Sequence, residues 1–217
     1  MLGIIRVITL QESSAIQLHG DLIERRYGLP VISRCIPDQP RGVYDAQTEA
    51  ESIPKKLSRL PGNWSSRGVR QSASAVLLTR RWRRRGRRWG VPVLGAGSCA
   101  ALMALAYSSR IGVLTILEEV PPLIRSILGG AYLGMDRPDG VTTTLDLGAP
   151  AGRTGALAGA ARLVERGAEV LVLACTGFAT IGLAAELEER LGIRAFDPIL
   201  CLGAAASATA AGAARRV

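Results

Sequence analysis

The stretch Val170 to Leu191, VLVLACTGFATIGLAAELEERL, constrains this chain more than any other. Val170, Leu171, Val172 and Leu173 are consecutive apolar residues, the pattern of a strand buried on both faces of a parallel sheet. Ala174-Cys175-Thr176-Gly177 is small and polar. A helical pattern then runs from Phe178 to Leu191, and Gly192 stops it. Cys175 is therefore expected at the C-terminal end of a strand and the N-terminus of a helix. In open α/β sheets that crevice is where ligands bind. A helix N-terminus offers unpaired N–H groups and a partial positive charge, which favour a thiolate and attract a carboxylate. The competing reading is a buried structural cysteine, since free cysteine is a common core residue.

Around this stretch, strand and helix patterns alternate. Gly3 to Leu10 reads as a strand, and Ser13 or Ser14 can cap a helix running to Tyr27, closed by Gly28. Leu29 to Cys35 reads as a second strand, followed by a turn-rich loop, Ile36 to Gly42, and the start of a helix, Thr48 to Lys56. After a break the pattern resumes with a strand, Val91 to Leu94, the loop Gly95-Ala96-Gly97-Ser98 and an alanine-rich helix, Cys99 to Ala106. A strand over Arg110 to Ile116 and a helix over Pro121 to Leu128 follow. Gly140 to Leu147 is loop or strand, Gly152 to Gly167 helix, Arg194 to Pro198 a last strand, and Ile199 to Arg216 a last helix. Such alternation predicts a parallel α/β architecture. Two units of about 100 residues with a cleft between them fit the length.

Composition matters mainly for where the charge lies. The chain of 217 residues carries a net charge of +9. Leu57 to Trp89 contributes +10 from ten arginines and no acid, which leaves −1 for everything else. All three tryptophans fall in the same segment. A basic nucleic-acid-binding protein is the reading this segment invites, since arginine with interleaved tryptophan can bind RNA, DNA or an acidic surface. The remainder is an ordinary near-neutral domain with enough apolar content for a core. The four cysteines, at positions 35, 99, 175 and 201, have no Cys-x-x-Cys spacing, and Met1 to Leu10 reads as a strand and not a secretory signal. Reduced thiols in a cytoplasm are expected. Val91 to Leu117, the most apolar window, is broken by Pro92, Gly95, Gly97, Arg110 and Gly112, so no membrane span is expected. His19, the only histidine, reads as a surface or packing residue near the end of the first helix.

LVLACTGFATIGLAAELEERLGIRAFDPI, preceded by VPVLGAGSCAALMALAYSSRIGVLTI, resembles the aspartate/glutamate/hydantoin racemase family. The resemblance covers Met1 to Lys56 and Gly90 to Val217, and Cys-Thr-Gly after a buried strand is its most specific part. It implies two similar flavodoxin-like parallel-sheet domains facing each other across a cleft. The first would span residues 1–95, completed by a C-terminal helix over 199–217, and the second residues 96–198. It also implies an isomerase that uses no cofactor and no metal, acting on a small carboxylate or carbonyl substrate, with a homo-oligomer as an expected state. Two cysteines, one per domain, would stand on opposite sides of the substrate α-carbon. Cys175 matches the second. Thr176 and Gly177 match positions that hold the carboxylate, and Ser98 is a further candidate donor, as is the run Thr142-Thr143-Thr144. Cys99, at a helix start behind Gly95-Ala96-Gly97-Ser98, is either a second base or a small core residue, the reading preferred; Cys35 and Cys201 are read as structural, and Cys175, activated by its helix, should alkylate faster than Cys35 or Cys201. Asp38 and Arg41 lie in a loop that can approach the cleft.

The matching first-domain cysteine is missing. It should follow a third strand between Gly68 and Gly90, where the sequence reads SASAVLLTRRW. With one permitted choice of codons, reading one base earlier from the last base of Val69 gives ATVCISCAADPAVEEAREEVG. That is a strand, a Cys-Ala-Ala-Asp-Pro turn and an acidic amphipathic helix. The same shift turns Leu57 to Trp64 into VEAARELE, which continues the helix begun at Thr48. Residues 57–89 therefore read as a frame-shifted segment bounded by two compensating indels, and the coding DNA tests this directly. A racemase so impaired, a one-cysteine lyase or decarboxylase of the same superfamily, and a basic nucleic-acid-binding protein are the functions the sequence allows.

Overall fold

The computed structural model describes residues 1–43, 45, 48, 56, 69, 71–74 and 91–213. Its frame is a pair of four-stranded sheets, all strands parallel. The first comprises β1 (Leu2–Arg6), β2 (Val31–Cys35), β3 (Gln71–Ser74) and β4 (Val93–Gly95), in the order β2-β1-β3-β4. The second comprises β5 (Ile111–Leu114), β6 (Tyr132–Asp136), β7 (Val170–Leu173) and β8 (Arg194–Phe196), in the order β6-β5-β7-β8. Numbered within each sheet, both orders are 2-1-3-4. This is the flavodoxin-like arrangement, and its crevice opens where the strand order reverses, beyond the C-terminal ends of the first and third strands.

Among the described residues the α-helices are α1 (Ser13–Tyr27), α2 (Ala96–Leu105), α3 (Pro122–Leu128), α4 (Pro150–Glu165), α5 (Gly177–Thr180), α6 (Leu183–Leu191) and α7 (Pro198–Ala213). Helix α7 lies against both α1 and α2. Leu202 and Ala206 of α7 share a buried cluster with Ile199, Leu2 and Ile4 of β1 and Ile23 of α1. The Tyr27 hydroxyl donates to the Leu200 carbonyl at 2.8 Å. Beneath the second sheet, Leu114, Leu171 and Leu173 pack with Leu163 of α4, Phe178 of α5 and Leu187 of α6. Among the described residues no helix is long and apolar enough to cross a membrane.

Several boundaries differ from those the sequence implies. Helix α1 starts at Ser13, but Glu12 is its N-cap and no side chain caps it, so the serines are helical residues rather than caps. Gly97 and Ser98 belong to α2, because Gly95 is extended and the helix begins at once behind it. The helix expected from Phe178 to Leu191 is broken into α5 and α6 by Gly182, whose φ of +66° is in the left-handed region that a helix cannot pass through. The strand β6 has no counterpart in the sequence reading; it is an edge strand, YLGMD, with too few apolar residues to show a period. Of the helix expected over Thr48 to Lys56, only the two end residues are described. The basic segment Leu57 to Trp89 lies outside the described residues except for Val69, which is buried against Ile5, Ile36 and Val91, and the backbone of β3.

Candidate active site

Strand β7 is buried at every position and pairs with β5 on one side and β8 on the other. The pairing runs one residue past its end, where the Ala174 N–H donates to the Leu114 carbonyl at 2.7 Å. Cys175 is therefore held at the C-terminal edge of the second sheet, next to the reversal of strand order between β5 and β7. The chain turns into α5 directly behind it. The Gly177 N–H donates to Cys175 Sγ at 3.4 Å, and the Phe178 N–H donates to the Cys175 carbonyl at 3.2 Å. Thr144 Oγ1 lies 3.9 Å from the same sulfur. A side chain at Gly177 would force its neighbours to move, because a Cβ would meet the Thr144 side chain, stand 2.9 Å from Leu147 Cδ1 and stand 3.4 Å from Sγ.

Thr144 is the member of its threonine run that reaches the sulfur. It opens a 3-10 turn, Thr144–Gly148, whose N-terminus is locked by a capping box between Thr143 and Asp146. Asp146 Oδ2 accepts from the Thr142 N–H at 2.9 Å, the Thr143 N–H at 2.7 Å and the Thr142 hydroxyl at 3.0 Å. Those donors, Thr142 N–H first, hold the Asp146 carboxyl below the usual carboxylate range. Thr142 and Thr143 thus serve the turn. The loop after β2 closes over the same place: its Gly42 lies against Ile8 and Thr144. That loop is tied to the end of β1, since Thr9 Oγ1 accepts from the Gln39 N–H at 2.7 Å and donates to the Ile36 carbonyl at 2.7 Å. Asp38 itself takes a left-handed conformation, φ +54°.

The expected activation of the thiol by the helix is not what the site shows. Burial pushes the Cys175 thiol up, and the smaller opposing effects of the Gly177 N–H, Thr144 and the Phe178 N–H do not cancel it. A helix of four residues has few aligned peptide dipoles, while a sulfur in a residue only 8% exposed loses most of its water. Exposure does not favour the expected faster alkylation of Cys175 over Cys35, which is half-buried at the end of β2 and more accessible than Cys175. Cys201, in α7, is buried as well, and burial with Asp197 nearby pushes it up to about 12.

Of the other predicted residues, Thr176 is the N-cap of α5 and half-exposed beside the sulfur, and Gly177 is its first residue. Ser98 is buried in α2, and among the described residues no hydrogen bond links it to Cys175, Thr176 or Gly177. His19 is a packing residue, not a surface one, and does not lie near a helix end. It is 1% exposed in the middle of α1, with Nε2 3.2 Å from Thr180 Oγ1. Arg6, at the end of β1, is also buried, and its guanidinium donates to the Ala15 and Ile16 carbonyls. The sequence carries no local signal for either contact. Among the described residues no group of three or more His, Cys, Asp or Glu side chains is placed to hold a metal ion.

A sequence profile of the Asp/Glu/Hydantoin racemase family matches residues 85–206, more than half of the chain. No curated protein matches the chain by sequence. Among solved structures, an allantoin racemase from Klebsiella pneumoniae superposes with a TM-score of 0.75 at 19% identity, covering 98% of this chain and 88% of that one. A glutamate racemase from Bacillus anthracis gives 0.65 at 13% identity, covering 98% and 82%. An arylmalonate decarboxylase gives 0.62 at 16% identity, covering 97% and 92%. At these identities the superpositions establish a shared fold.

Proposed function

Because this chain belongs to the Asp/Glu/hydantoin racemase family, whose members are isomerases acting on amino acids and their derivatives, we propose that Cys175 is its acid–base group at a carbon acid. The observation that carries the proposal is the seating of Sγ at the β7 edge under the Gly177 N–H and the Thr144 hydroxyl. Thr176 and Gly177 offer a hydroxyl and backbone N–H groups to a substrate carboxylate or carbonyl, and Ser98, on α2, is a further candidate donor. An α-hydrogen is a very weak acid. It leaves as a proton only if a base is close and fixed donors take up the electron pair that remains. Inversion needs a thiolate to remove the proton from one face and a thiol to return one from the other, so no cofactor has to supply an electron sink.

The second thiol belongs to the facing domain, which on this reading is residues 1–95 with the C-terminal helix, opposite residues 96–198. The matched topology of the sheets supports one sequence position for it. Cys175 is the second residue after β7, the third strand of its sheet. The second residue after β3, the third strand of the other, is Val76. The shifted reading frame places a cysteine codon across the Ala75/Val76 boundary. It also replaces Gln71-Ser72-Ala73-Ser74, a polar sequence between two neighbours of a parallel sheet, with the apolar TVCI such a position calls for. The chain as it stands therefore has one cysteine of the pair, and it should exchange the substrate α-proton on one face without completing inversion.

A second reading is favoured by the protonation state of Cys175. A thiol that burial keeps protonated is poised to deliver a proton to a carbanion formed by another route, such as loss of carbon dioxide from a malonate-type acid. This is lyase chemistry that needs one cysteine. Amino-acid and hydantoin enantiomers incubated in deuterium oxide, beside an arylmalonate, separate the two readings. One-sided deuterium incorporation that disappears in Cys175→Ala supports the racemase site, whereas carbon dioxide release supports the lyase. Restoring the shifted frame should recover racemisation. Racemisation by the unrestored chain at the restored rate would refute both the two-thiol assignment and the lost cysteine.

A further inference from the structure

His19 and Arg6 are buried polar groups for which the proton transfer has no use. The imidazole of His19 enters from α1, under the first sheet, and meets α5, the short helix that carries the Cys175 turn. Its Nε2 stands 3.2 Å from Oγ1 of Thr180, the last residue of α5. Its Nδ1 is buried with no hydrogen-bond partner, and the backbone of Thr176, at the other end of α5, faces the ring.

Helix α5 needs such an anchor. It has a single turn, too short for the cooperative hydrogen bonding that holds longer helices. No side chain caps it, and Gly182, in the left-handed conformation, disconnects it from α6. Arg6 faces the same ring from β1, and among the described residues it has no carboxylate partner. Burial first, and then this guanidinium, hold the His19 imidazole down to about 3, so it is neutral at any ordinary pH. A neutral imidazole has one donor and one acceptor nitrogen, so Nε2 can take either role toward the Thr180 hydroxyl.

We infer that His19 is a positioning residue for Cys175, fixing α5 so that its first N–H groups stay aimed at the cysteine. The inference rests on the reading of Cys175 as the reacting group, but its consequence is visible on the thiol alone. The Gly177 N–H is the backbone donor at hydrogen-bond distance from Sγ, and it belongs to α5. If α5 drifts, the thiolate loses that donor while Thr144 and Leu147 still cover the turn. Burial is the largest cause of the shift of the thiol and no charged side chain contributes among the described residues, so the α5 backbone and Thr144 are what oppose burial.

The test follows the alkylation of Cys175 by iodoacetamide in the full chain, peptide by peptide, across the alkaline range. Thr180→Val and His19→Leu should each raise the midpoint for Cys175 by about one pH unit, the equivalent of a weakened charge-assisted hydrogen bond. The double variant should move it no further than either alone. His19→Gln, whose amide can still reach Thr180, should keep the original midpoint. The profile of Cys201 should stay fixed throughout, since a general loosening of the fold would move it too. An unchanged Cys175 midpoint in Thr180→Val and His19→Leu, or an equal movement of Cys201, overturns the inference. If His19→Leu does not fold, Thr180→Val decides alone. Proton exchange that persists in Cys175→Ala would instead remove the catalytic assignment and leave the positioning of the thiol standing.

Discussion

Acid should unfold this protein through His19 before most of its carboxylates titrate. The imidazole is neutral in the folded chain down to about pH 3, whereas in the unfolded chain it takes up a proton near its ordinary value of 6.5. Between those limits the unfolded state binds one proton more than the folded state, so stability falls as the pH is lowered through that window. Above 6.5 and below 3 both states carry the same charge at this residue, and the slope vanishes. Each pH unit of the window removes about 1.4 kcal/mol, and the whole of it on the order of 4–5 kcal/mol. That is a large share of the roughly 5–15 kcal/mol by which a domain is stable. Asp136, held below its usual range chiefly by Arg162 against the cost of burial, and Asp146 also lose stability in acid. A difference measurement cancels them: urea unfolding of the original chain and of His19→Gln, which cannot titrate, at a series of pH values from about 7 to about 4. The original should lose about 1.4 kcal/mol per unit more than the variant. Parallel slopes would show that the ring is protonated or solvated in the folded state and would refute the reasoning.

Two further outcomes follow from the geometry. Gly177→Ala should destabilise by about 1–3 kcal/mol, as overpacking does, and should abolish chemistry at Cys175, because the new Cβ displaces Thr144 and Leu147 from the sulfur; unfolding and proton-exchange assays read both. Asp197 Oδ1 accepts the Ile199 N–H at 2.8 Å and the Leu200 N–H at 2.9 Å, which makes it the anchor of the first turn of α7. Asp197→Ala should cost about 1–2 kcal/mol and Asp197→Asn only a few tenths, as for other helix N-caps, in denaturant titrations at neutral pH.

What could be read from the sequence was set by how locally each feature is encoded. Val170 to Leu173 and Ile111 to Leu114 announce themselves as central strands because burial on both faces demands an uninterrupted apolar run, and both are buried throughout. Tyr132 to Asp136 did not, since an edge strand is not held to that demand. The break at Gly182 was hidden because Leu183, Leu187 and Leu191 keep the apolar period of the preceding residues going. Cys175 was legible as a position and misleading as a chemical group. Its place after a strand and before a helix is written in adjacent residues, whereas its protonation depends on Thr144 and on how far the surrounding fold excludes water. His19 is the extreme case, because its partner Thr180 is 161 residues away and no pattern around position 19 points to it.

The same distinction bears on the proposed loss of a second thiol. A parallel strand at the centre of a sheet is specified by its own few residues, so a polar sequence in the β3 position conflicts with the neighbours it pairs with, Leu2 to Ile5 on one side and Val93 to Gly95 on the other. The conflict is confined to the segment whose charge, tryptophan content and loss of period already set it apart, while every strand outside it satisfies the rule or lies at an edge. The proposed displaced reading frame would account for all of these features together, whereas a basic insert would account for the charge and the tryptophans but not for the polar strand.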